Sequence, residues 1–543
     1  MPTSRFTVRA LIAALVAASP AAAQTVNWQV VAGTSALLDL SGFPAGSRSY
    51  TDVLLADVGA GLVGIRMTSP SASEGYWARR QGTWVRHTAI GVTGATLGPG
   101  RVGGEAGHVF LSVDAGGTDA GADGQRVFVA RAGDPANTVN ATRGIWRWGS
   151  QNLEIARVLT DGPLGPGLGA NTVFTNNSNF AAVRMANAGR ALINADVTLA
   201  STGERRLLAK HVPGQGNVAC MLRGSTDPAV APGLAAGDFF DVSWSLSSIA
   251  LTPTGRAYGT FSASNSRSGI WEVCNGAPRA LVADDVSSAL GPEIGIATAS
   301  FVDGSFGIPR PGVDGHFYFA ARYRTAAGQS SAGGLFWHDG AANRPLAMND
   351  GAGVYGPHWE GSTWSGFDDA SLMGAGGYAA FEASARTPDS TTVDGLWRVR
   401  AGGSPQPVAI IGASGAYAPE ANRTWTTFLA KALLANGDIL LHARTNPNSE
   451  VALWLLKAGA APRRVLSVGQ VVNVPTTGGV VADTVQSFSI DTGSVLAGGG
   501  TDSWVGADGG VLVQATLATH GGVRLLAVPS NPVDLIFRTG FDP

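Results

Sequence analysis

The segment Gly377–Ala383, with the sequence GYAAFEA, decides the fold class. After its glycine, the apolar residues Ala379, Phe381 and Ala383 recur at every second position. A period of two is typical of a β-strand, in which successive side chains point to opposite faces. The leading glycine suits a turn that needs a positive φ. A second apolar segment, Gly395-Leu396-Trp397, follows and predicts an adjacent strand.

The same pattern recurs along the chain. Each unit starts with a glycine followed by apolar residues or glycine at the second, fourth and sixth positions, and the leading glycines are Gly61, Gly107, Gly189, Gly255, Gly315, Gly377, Gly437 and Gly509. Most units then carry a tryptophan, and these are Trp77, Trp146, Trp271, Trp337, Trp397 and Trp454. In the third unit Ala219-Cys220-Met221 takes this place. We interpret the recurring tryptophans as packing between units.

The repeat predicts an all-β fold with the architecture of a single β-propeller. Units of about 65 residues fit blades of four strands. Eight blades are preferred, and seven result if one leading glycine belongs to an insertion. The segment 114–140 is rich in Gly, Ala and Asp and predicts a loop over one face. Trp28–Gly33 resembles the last strand of a unit, and the unit from Gly509 lacks one. We therefore expect the N-terminal strand to complete the C-terminal blade and close the ring.

The N-terminal residues predict export. Arg5 and Arg9 precede an apolar run over residues 10–18 and the small residues 21–23, the order found in a secretory signal peptide. The run is about half of the roughly 20 residues that a membrane span needs. We assign residues 1–23 to a signal peptide, 24–530 to the propeller and 531–543 to a C-terminal tail, and we expect no transmembrane segment.

Composition limits the partners and the covalent chemistry. Only 14% of the 543 residues are charged and the net charge is -2, so nothing predicts binding to nucleic acid. Export favours a disulfide between Cys220 and Cys274, the two cysteines of the chain. Packed sheets lie about 10 Å apart, whereas a disulfide needs Cα atoms within about 4.4–6.8 Å. Both the bonded and the free state therefore stay open.

Two sets of residues are candidate binding sites. Polar residues follow six of the leading glycines, and an innermost glycine-led strand would arrange them as a mostly cationic ring around a central channel. This ring would suit an anionic ligand, and plain solvation of the strand starts is the alternative; its residues are His108, Arg190, Arg256, His316, Tyr378 and Asp438. The second set lies in a Gly/Ser-rich stretch with tryptophans outside the repeat and predicts glycan contact; it comprises His358, Trp359, Glu360, Trp364 and Asp368.

No common catalytic pattern is present. The sequence lacks Gly-x-Ser-x-Gly, His-Glu-x-x-His and Cys-x-x-Cys, and its eight histidines have no metal-ligand spacing. We predict no catalytic residue, no metal and no cofactor. The expected function is that of a monomeric, non-enzymatic secreted propeller that binds a protein partner or a glycan at the cell surface. A propeller polysaccharide hydrolase or lyase with paired carboxylates and a structural envelope protein are the alternatives.

The repeats resemble those of secreted bacterial proteins with an Asn-x-x-Gly-x-x-x-Phe motif. The motif is fullest at Gly315–Phe319 and Gly377–Phe381, whereas elsewhere the asparagine is displaced, as at Asn187, or the phenylalanine is aliphatic. The resemblance implies a propeller-like protein of unknown activity, secreted or held in the periplasm or at the surface of a bacterium. Leu535–Asp542 resembles the Ile-Phe-x-Asp-Gly-Phe-Glu tails of exported Gram-negative proteins, with Thr539 in place of the aspartate. This implies a sorting or processing signal, and a final strand is the alternative.

Overall fold

The computed structural model is almost entirely β, which confirms the predicted fold class. It describes residues 26–528 except 44–48, 57–61, 70–74, 81, 102–104, 106, 122–123, 176–179, 181, 200–202, 242–243, 245–247, 253, 265, 288, 303, 313–314, 350–352 and 491–510. The expected signal peptide and C-terminal tail lie outside the described residues. Helical structure in the described part consists of short 3-10 turns at Thr138–Asn140, Gly162–Leu164, Gly353–Tyr355, Asp369–Ser371 and Gly415–Tyr417.

The strands of the described residues form eight sheets. Strand β1 (Asn27–Gly33) comes first in the chain but belongs to the last sheet. Sheet 1 contains β2 (Ser49–Ala56), β3 (Leu62–Ser69), β4 (Gly75–Arg80) and β5 (Thr83–Arg86). Sheet 2 contains β6 (Val109–Ala120), β7 (Arg126–Gly133), β8 (Thr142–Trp148) and β9 (Asn152–Arg157). Sheet 3 contains β10 (Val173–Phe174), β11 (Ala182–Met185), β12 (Ala191–Leu199), β13 (Gly203–Val212) and β14 (Gly216–Leu222). Sheet 4 contains β15 (Ile249–Leu251), β16 (Ala257–Ser262), β17 (Ser268–Val273) and β18 (Arg279–Ala283).

The second half of the chain continues the series. Sheet 5 contains β19 (Ser300–Phe301), β20 (Arg310–Pro311), β21 (Phe317–Arg324), β22 (Ala332–His338) and β23 (Asn343–Met348). Sheet 6 contains β24 (Thr363–Phe367), β25 (Met373–Ala375), β26 (Tyr378–Arg386), β27 (Thr392–Arg400) and β28 (Gln406–Ile410). Sheet 7 contains β29 (Thr424–Leu433), β30 (Ile439–Asn446), β31 (Glu450–Leu456) and β32 (Arg463–Ser467). Sheet 8 contains β33 (Val471–Thr476), β34 (Gly479–Ser489), β35 (Leu512–Leu517) and β36 (Gly521–Val528), together with β1.

Sheets 1 to 7 share one topology. Their strands pair antiparallel in chain order, and in sheets 3, 5 and 6 the first strand is divided into two pieces that pair with the same neighbour. Consecutive four-stranded antiparallel sheets are the architecture of propeller blades. The glycine-led strand of these sheets is the second one; β26, for example, pairs with β24 and β25 on one side and with β27 on the other. The expectation that the glycine-led strand is innermost was therefore wrong, because a strand paired on both sides cannot form an edge.

The second unit differs from its predicted alignment. Gly107 precedes β6, the first strand of sheet 2, whereas Gly124, with a φ of 77°, precedes the second strand β7. With Gly107 as the leading glycine, the separations from Gly61 and to Gly189 are 46 and 82 residues. With Gly124 in its place they become 63 and 65 residues. The segment 114–140 is not a loop, because it contains the end of β6 and all of β7.

Two of the positions predicted to carry the recurring tryptophan or its substitute were also misplaced. In sheet 5, Phe336 lies opposite Phe319, just as Trp397 lies opposite Phe381 in sheet 6, so Phe336 and not Trp337 takes the buried position. In sheet 3 the equivalent residue is Ala209 on β13, while Ala219–Met221 belongs to the fourth strand, β14. Both errors arose because the pairing partner of a strand cannot be seen in the repeat alone.

Three of the six recurring tryptophans hold the connection before a sheet against that sheet. Trp146, Trp271 and Trp397 are fully buried on third strands. Their indole N–H groups donate to the carbonyl oxygens of prolines in the preceding connection, at 3.0 Å to Pro99, 2.9 Å to Pro232 and 2.8 Å to Pro357. Each indole therefore contributes apolar area to the core and satisfies its single polar group at the same time.

A disulfide joins sheets 3 and 4. Cys220 lies on β14, the last strand of sheet 3, and Cys274 follows β17, the third strand of sheet 4, with Cα atoms 4.7 Å apart. The 10 Å separation of stacked sheets does not apply, because the bond runs from an edge strand to a turn rather than from face to face.

The two ends of the described chain share sheet 8. Strand β1 pairs antiparallel with β36, with Asn27 opposite Val528, and meets β33 through one parallel pair, so that these five strands close on themselves. The indole of Trp28 donates to the carbonyl of Val465 in sheet 7 at 2.8 Å. The indole of Trp84 in sheet 1 donates to Val31 at 2.9 Å. Strand β1 thus contacts both sheet 7 and sheet 1.

Candidate functional site

An open pocket of about 410 Å³ lies between sheets 6 and 7. It is lined by first-strand residues of both sheets and by the outer part of sheet 6: Gly366, Phe367, Asp368, Glu382, Ala383, Ser384, Asp394, Gly395, Ile411, Thr427 and Phe428. The volume falls in the range of about 300–1,000 Å³ that is usual for ligand pockets. This pocket is the candidate functional site.

The floor of the pocket forms where the first strand of sheet 6 is interrupted. After β24 ends at Phe367, residues 368–372 leave the sheet and β25 resumes the pairing. Asp368 Oδ1 accepts a hydrogen bond from the Ala370 N–H at 3.1 Å and caps a short 3-10 turn. The Ser371 hydroxyl donates to the Asp368 carbonyl and accepts from the Glu382 N–H, both at 2.7 Å. These bonds fix Asp368 beside Glu382.

Three carboxylates line the pocket, and none of the lining residues is Lys, Arg or His. Glu382 Oε1 accepts from the Ala430 N–H of β29 at 2.7 Å, so this side chain crosses from sheet 6 to sheet 7. Burial and the negative charge of Asp368 raise the pKa of Glu382, against the opposing effects of the Ala430 N–H and Lys431. Asp394 accepts from the Ser384 hydroxyl at 2.5 Å. The pocket therefore disfavours anionic ligands.

Two phenyl rings complete the lining. Phe367 is half-buried and packs against Trp364 and Phe381, with ring centroids 5.3 and 6.0 Å apart. Phe428 is half-buried and packs edge-on against Trp425 at 6.4 Å. Because the rings are supported from behind by buried aromatics, they hold apolar surface at the pocket wall without collapsing into it.

The predicted glycan-contact residues divide into three groups. Asp368 lines the pocket. Trp364 is 2% exposed, donates to the Tyr355 carbonyl at 2.6 Å and belongs to the core. His358 and Glu360 are exposed in the connection before β24, and Trp359 is half-buried edge-on against Tyr417. The structure thus brings only Asp368 of the five into the pocket.

A family model described as a family of unknown function, DUF7453, matches residues 68–518. The chain belongs to this family. No curated protein is similar to the chain in sequence.

Solved structures with a similar backbone arrangement include the polysaccharide lyase Uly1, the Dos1 propeller and dipeptidyl peptidase 4 from Porphyromonas gingivalis. Their sequence identities to this DUF7453 protein are 9%, 7% and 9%, and the TM-scores are 0.30, 0.31 and 0.33. The alignments cover 81%, 91% and 80% of this chain and 100%, 96% and 55% of those chains. At these values the likeness carries no argument about activity.

The residues predicted to form a cationic ring are engaged within the protein. Arg190 Nη1 donates to the Thr254 carbonyl of the next sheet at 3.0 Å. Arg256 forms an ion pair with Glu272 at 2.7 Å. The remaining contacts are His108 to Arg101 Nη1 at 3.2 Å, His316 edge-on to Trp337 at 5.6 Å, Tyr378 against Gly437, where a Cβ would lie 3.1 Å from the ring, and Asp438 accepting from Asn436 Nδ2 at 3.2 Å.

These contacts give the six residues of the predicted cationic ring a structural role. Arg190 and Tyr378 reach from one sheet to the leading-glycine turn of the next, and His108 precedes a first strand and not a second one. The premise of an innermost glycine-led strand is wrong, so a channel-lining ring at this level has no basis in the strand order.

Glu382 cannot be recognised from the regular apolar positions of the repeat, because it lies at an intervening position. The fifth residue after each leading glycine is polar in several units: Asn194, Thr260, Glu382 and His442. In the structure this residue faces the next sheet; the Thr260 hydroxyl, for example, donates to the Gly307 carbonyl at 3.2 Å. Polar residues on the face opposite the regular apolar positions were the available signal.

Two further observations concern the described residues. No helix among them is long and apolar enough to cross a bilayer. Within the same part of the chain, no three His, Cys, Asp or Glu side chains converge in a way that could hold a metal ion.

Replacement of Glu382 by glutamine is expected to change the pH dependence of stability. The pKa of Glu382 in the folded chain lies above its ordinary value of 4.5, so wild-type stability falls as pH rises through the folded pKa. Glutamine keeps an acceptor for the Ala430 N–H and removes the charge. Unfolding temperatures should be measured at pH values from below 4.5 to above the folded pKa of Glu382. The unfolding temperature of the variant should rise relative to that of the wild type as pH increases. Glu360→Gln, at an exposed position, should run parallel to the wild type.

Proposed function

We propose that this protein is an exported bacterial β-propeller of eight blades that binds a glycan in the pocket between sheets 6 and 7 without cleaving it. The glycan is neutral or carries amino groups. The observation that carries the proposal is the combination, in one open pocket, of two supported phenyl rings with three carboxylates.

The eight-bladed ring is supported by the contacts of the last sheet. Sheets 1 to 7 repeat one topology, and β1 supplies sheet 8 with the strand that follows β36. Trp28 and Trp84 connect β1 to sheet 7 and sheet 1, the two neighbours that sheet 8 needs in a closed ring. Pairing of β1 with both β36 and β33 leaves no unpaired terminal strand in sheet 8.

Export is supported by covalent chemistry and by sequence. The Cys220–Cys274 disulfide suits an oxidising compartment such as the periplasm or the exterior. The charged, apolar and small-residue order of residues 5–23 is that of a signal peptide.

Glycan binding is supported by the chemistry of the lining. The C–H face of a pyranose packs on an aromatic ring, while its hydroxyls donate to carboxylate oxygens. Phe367 and Phe428 offer the rings, and Asp368 and Asp394 offer the acceptors. The carboxylates on the pocket wall would repel a uronate, so the pocket favours neutral sugars or amino sugars.

Phe428→Ala is expected to weaken glycan binding about tenfold, or about 1.4 kcal/mol. A glycan array on the mature protein identifies the ligand, and titration calorimetry then compares the variants. Leu429→Ala is the matched control, because Leu429 neighbours Phe428 on β29, is 45% exposed and does not line the pocket. Equal affinities for the two variants would exclude the pocket. An array without any bound glycan would overturn the proposal and leave a protein partner or a structural envelope role.

A polysaccharide hydrolase is the second candidate, favoured by the raised pKa of Glu382 beside Asp368. A carboxyl group with a raised pKa next to a second carboxyl group is the kind of pair that glycoside hydrolysis uses. Chromatography of the bound glycan after long incubation separates the two functions. Release of shorter products, lost in Glu382→Gln while binding persists, would replace the binding function by the enzyme.

A further inference from the structure

Arg310 occupies an unusual position at the start of β20. This short strand is the second piece of the first strand of sheet 5 and pairs only with β21, with Arg310 opposite Tyr318. Although it lies on an edge strand, Arg310 is 8% exposed. A guanidinium is rarely buried to this extent unless it is paired.

The Arg310 guanidinium has no partner in the part of the chain that the structure describes. It forms no hydrogen bond or ion pair there, and its Nε is buried without an acceptor. The comparably buried Arg101 instead bonds Glu154 at 2.9 Å and Thr142 at 2.8 Å. Burial lowers the pKa of Arg310 to about 10.

The space around Arg310 is narrow. Strand β20 lies against β25 of sheet 6, and a Cβ on Gly374 would be 3.2 Å from the Arg310 Cβ and 2.8 Å from the Pro311 carbonyl. The same Cβ would be 2.6 Å from the Tyr318 ring. Sheets 5 and 6 therefore pack closely at the backbone of Arg310.

We propose that Arg310 is an anion-binding site that takes a single carboxylate or phosphate group. An uncompensated buried charge is strongly unfavourable, and an anion removes that cost. The planar guanidinium donates two parallel hydrogen bonds to either group. The site lies between sheets 5 and 6, whereas the acidic pocket lies between sheets 6 and 7, so it is independent of the proposed glycan binding.

The test measures thermal unfolding of the full mature chain in sodium phosphate, sodium acetate and sodium chloride at equal ionic strength. The wild type should show a saturable rise in unfolding temperature with phosphate or acetate relative to chloride. Arg310→Met should lose this rise and unfold in chloride at or above the wild-type temperature, because methionine fills the space without a charge. The phosphate and acetate arms distinguish the two groups.

Arg184→Met is the matched control. Arg184 has the equivalent place on the first strand of sheet 3, opposite Leu192, but is only half-buried, and this variant should keep the wild-type rise. The proposal is contradicted if phosphate and acetate do not raise the unfolding temperature of the wild type relative to chloride. It is also contradicted if they raise that of Arg310→Met to the full extent. A lower unfolding temperature of Arg310→Met in chloride would also overturn it. If Arg310→Met is insoluble, Arg310→Lys should need a higher anion concentration for half the rise, and an unchanged midpoint contradicts the site.

Discussion

Replacement of Trp397 by alanine is expected to lower the free energy of unfolding by about 3–5 kcal/mol. Trp397 is fully buried and packs on Trp364 with ring centroids 4.8 Å apart. Its indole N–H also fastens Pro357, in the connection that leads into sheet 6. Alanine would leave a large cavity and an unsatisfied carbonyl. Urea unfolding followed by tryptophan fluorescence and circular dichroism measures the loss.

Trp337→Ala is the control for this prediction. Trp337 occupies the next position along the equivalent strand of sheet 5 and is only half-buried, since Phe336 takes the core position. Replacement of Trp337 should lower the free energy of unfolding clearly less than replacement of Trp397 does. Equal losses would show that the tryptophans stabilise the protein by some means other than the depth of their burial.

Removal of the disulfide has the second large expected effect. The bond closes a segment with a sequence separation of 54 residues, and loop-closure entropy for this length corresponds to about 4 kcal/mol. The double variant Cys220→Ala/Cys274→Ala should therefore unfold at a markedly lower temperature than the oxidised wild type. Both cysteines are buried, at 2% and 7% exposure, so alanine also leaves a small cavity.

Calorimetry with and without a reductant checks the origin of this effect. The oxidised wild type should lose stability when reduced, and the double variant should be insensitive to the reductant. A reductant-sensitive double variant would mean that something other than the Cys220–Cys274 bond responds. A wild type that is as stable when reduced would show that the bond adds nothing to the contacts between sheets 3 and 4.

Polar side chains between the sheets have two different roles. Some residues of the predicted cationic ring contact the neighbouring sheet, whereas those of the pocket line an open space. Near the leading glycines, Arg190 reaches the next sheet and donates a hydrogen bond to its backbone. Near the break between β24 and β25, the carboxylates of Asp368 and Asp394 line the open pocket.

Much of the architecture was predictable from local pattern. The alternation in GYAAFEA identifies a strand, and its repetition identifies a series of similar units. The resemblance of Trp28–Gly33 to a last strand also predicted where the N-terminal strand pairs, beside β36. Such features depend on side-chain periodicity and on the number of strands per unit, which a sequence displays directly.

The site depended on contacts that no local pattern contains. Glu382 meets Ala430 across 48 residues, and the pairing order that places the glycine-led strand second is set by its neighbours on both sides. Sequence alone determined the strand class and the repeating unit, because both follow from alternation within a few residues. Tertiary structure alone decided which carboxylates share a pocket and that Arg310 is buried without a partner among the described residues, because burial and charge pairing are properties of neighbouring sheets.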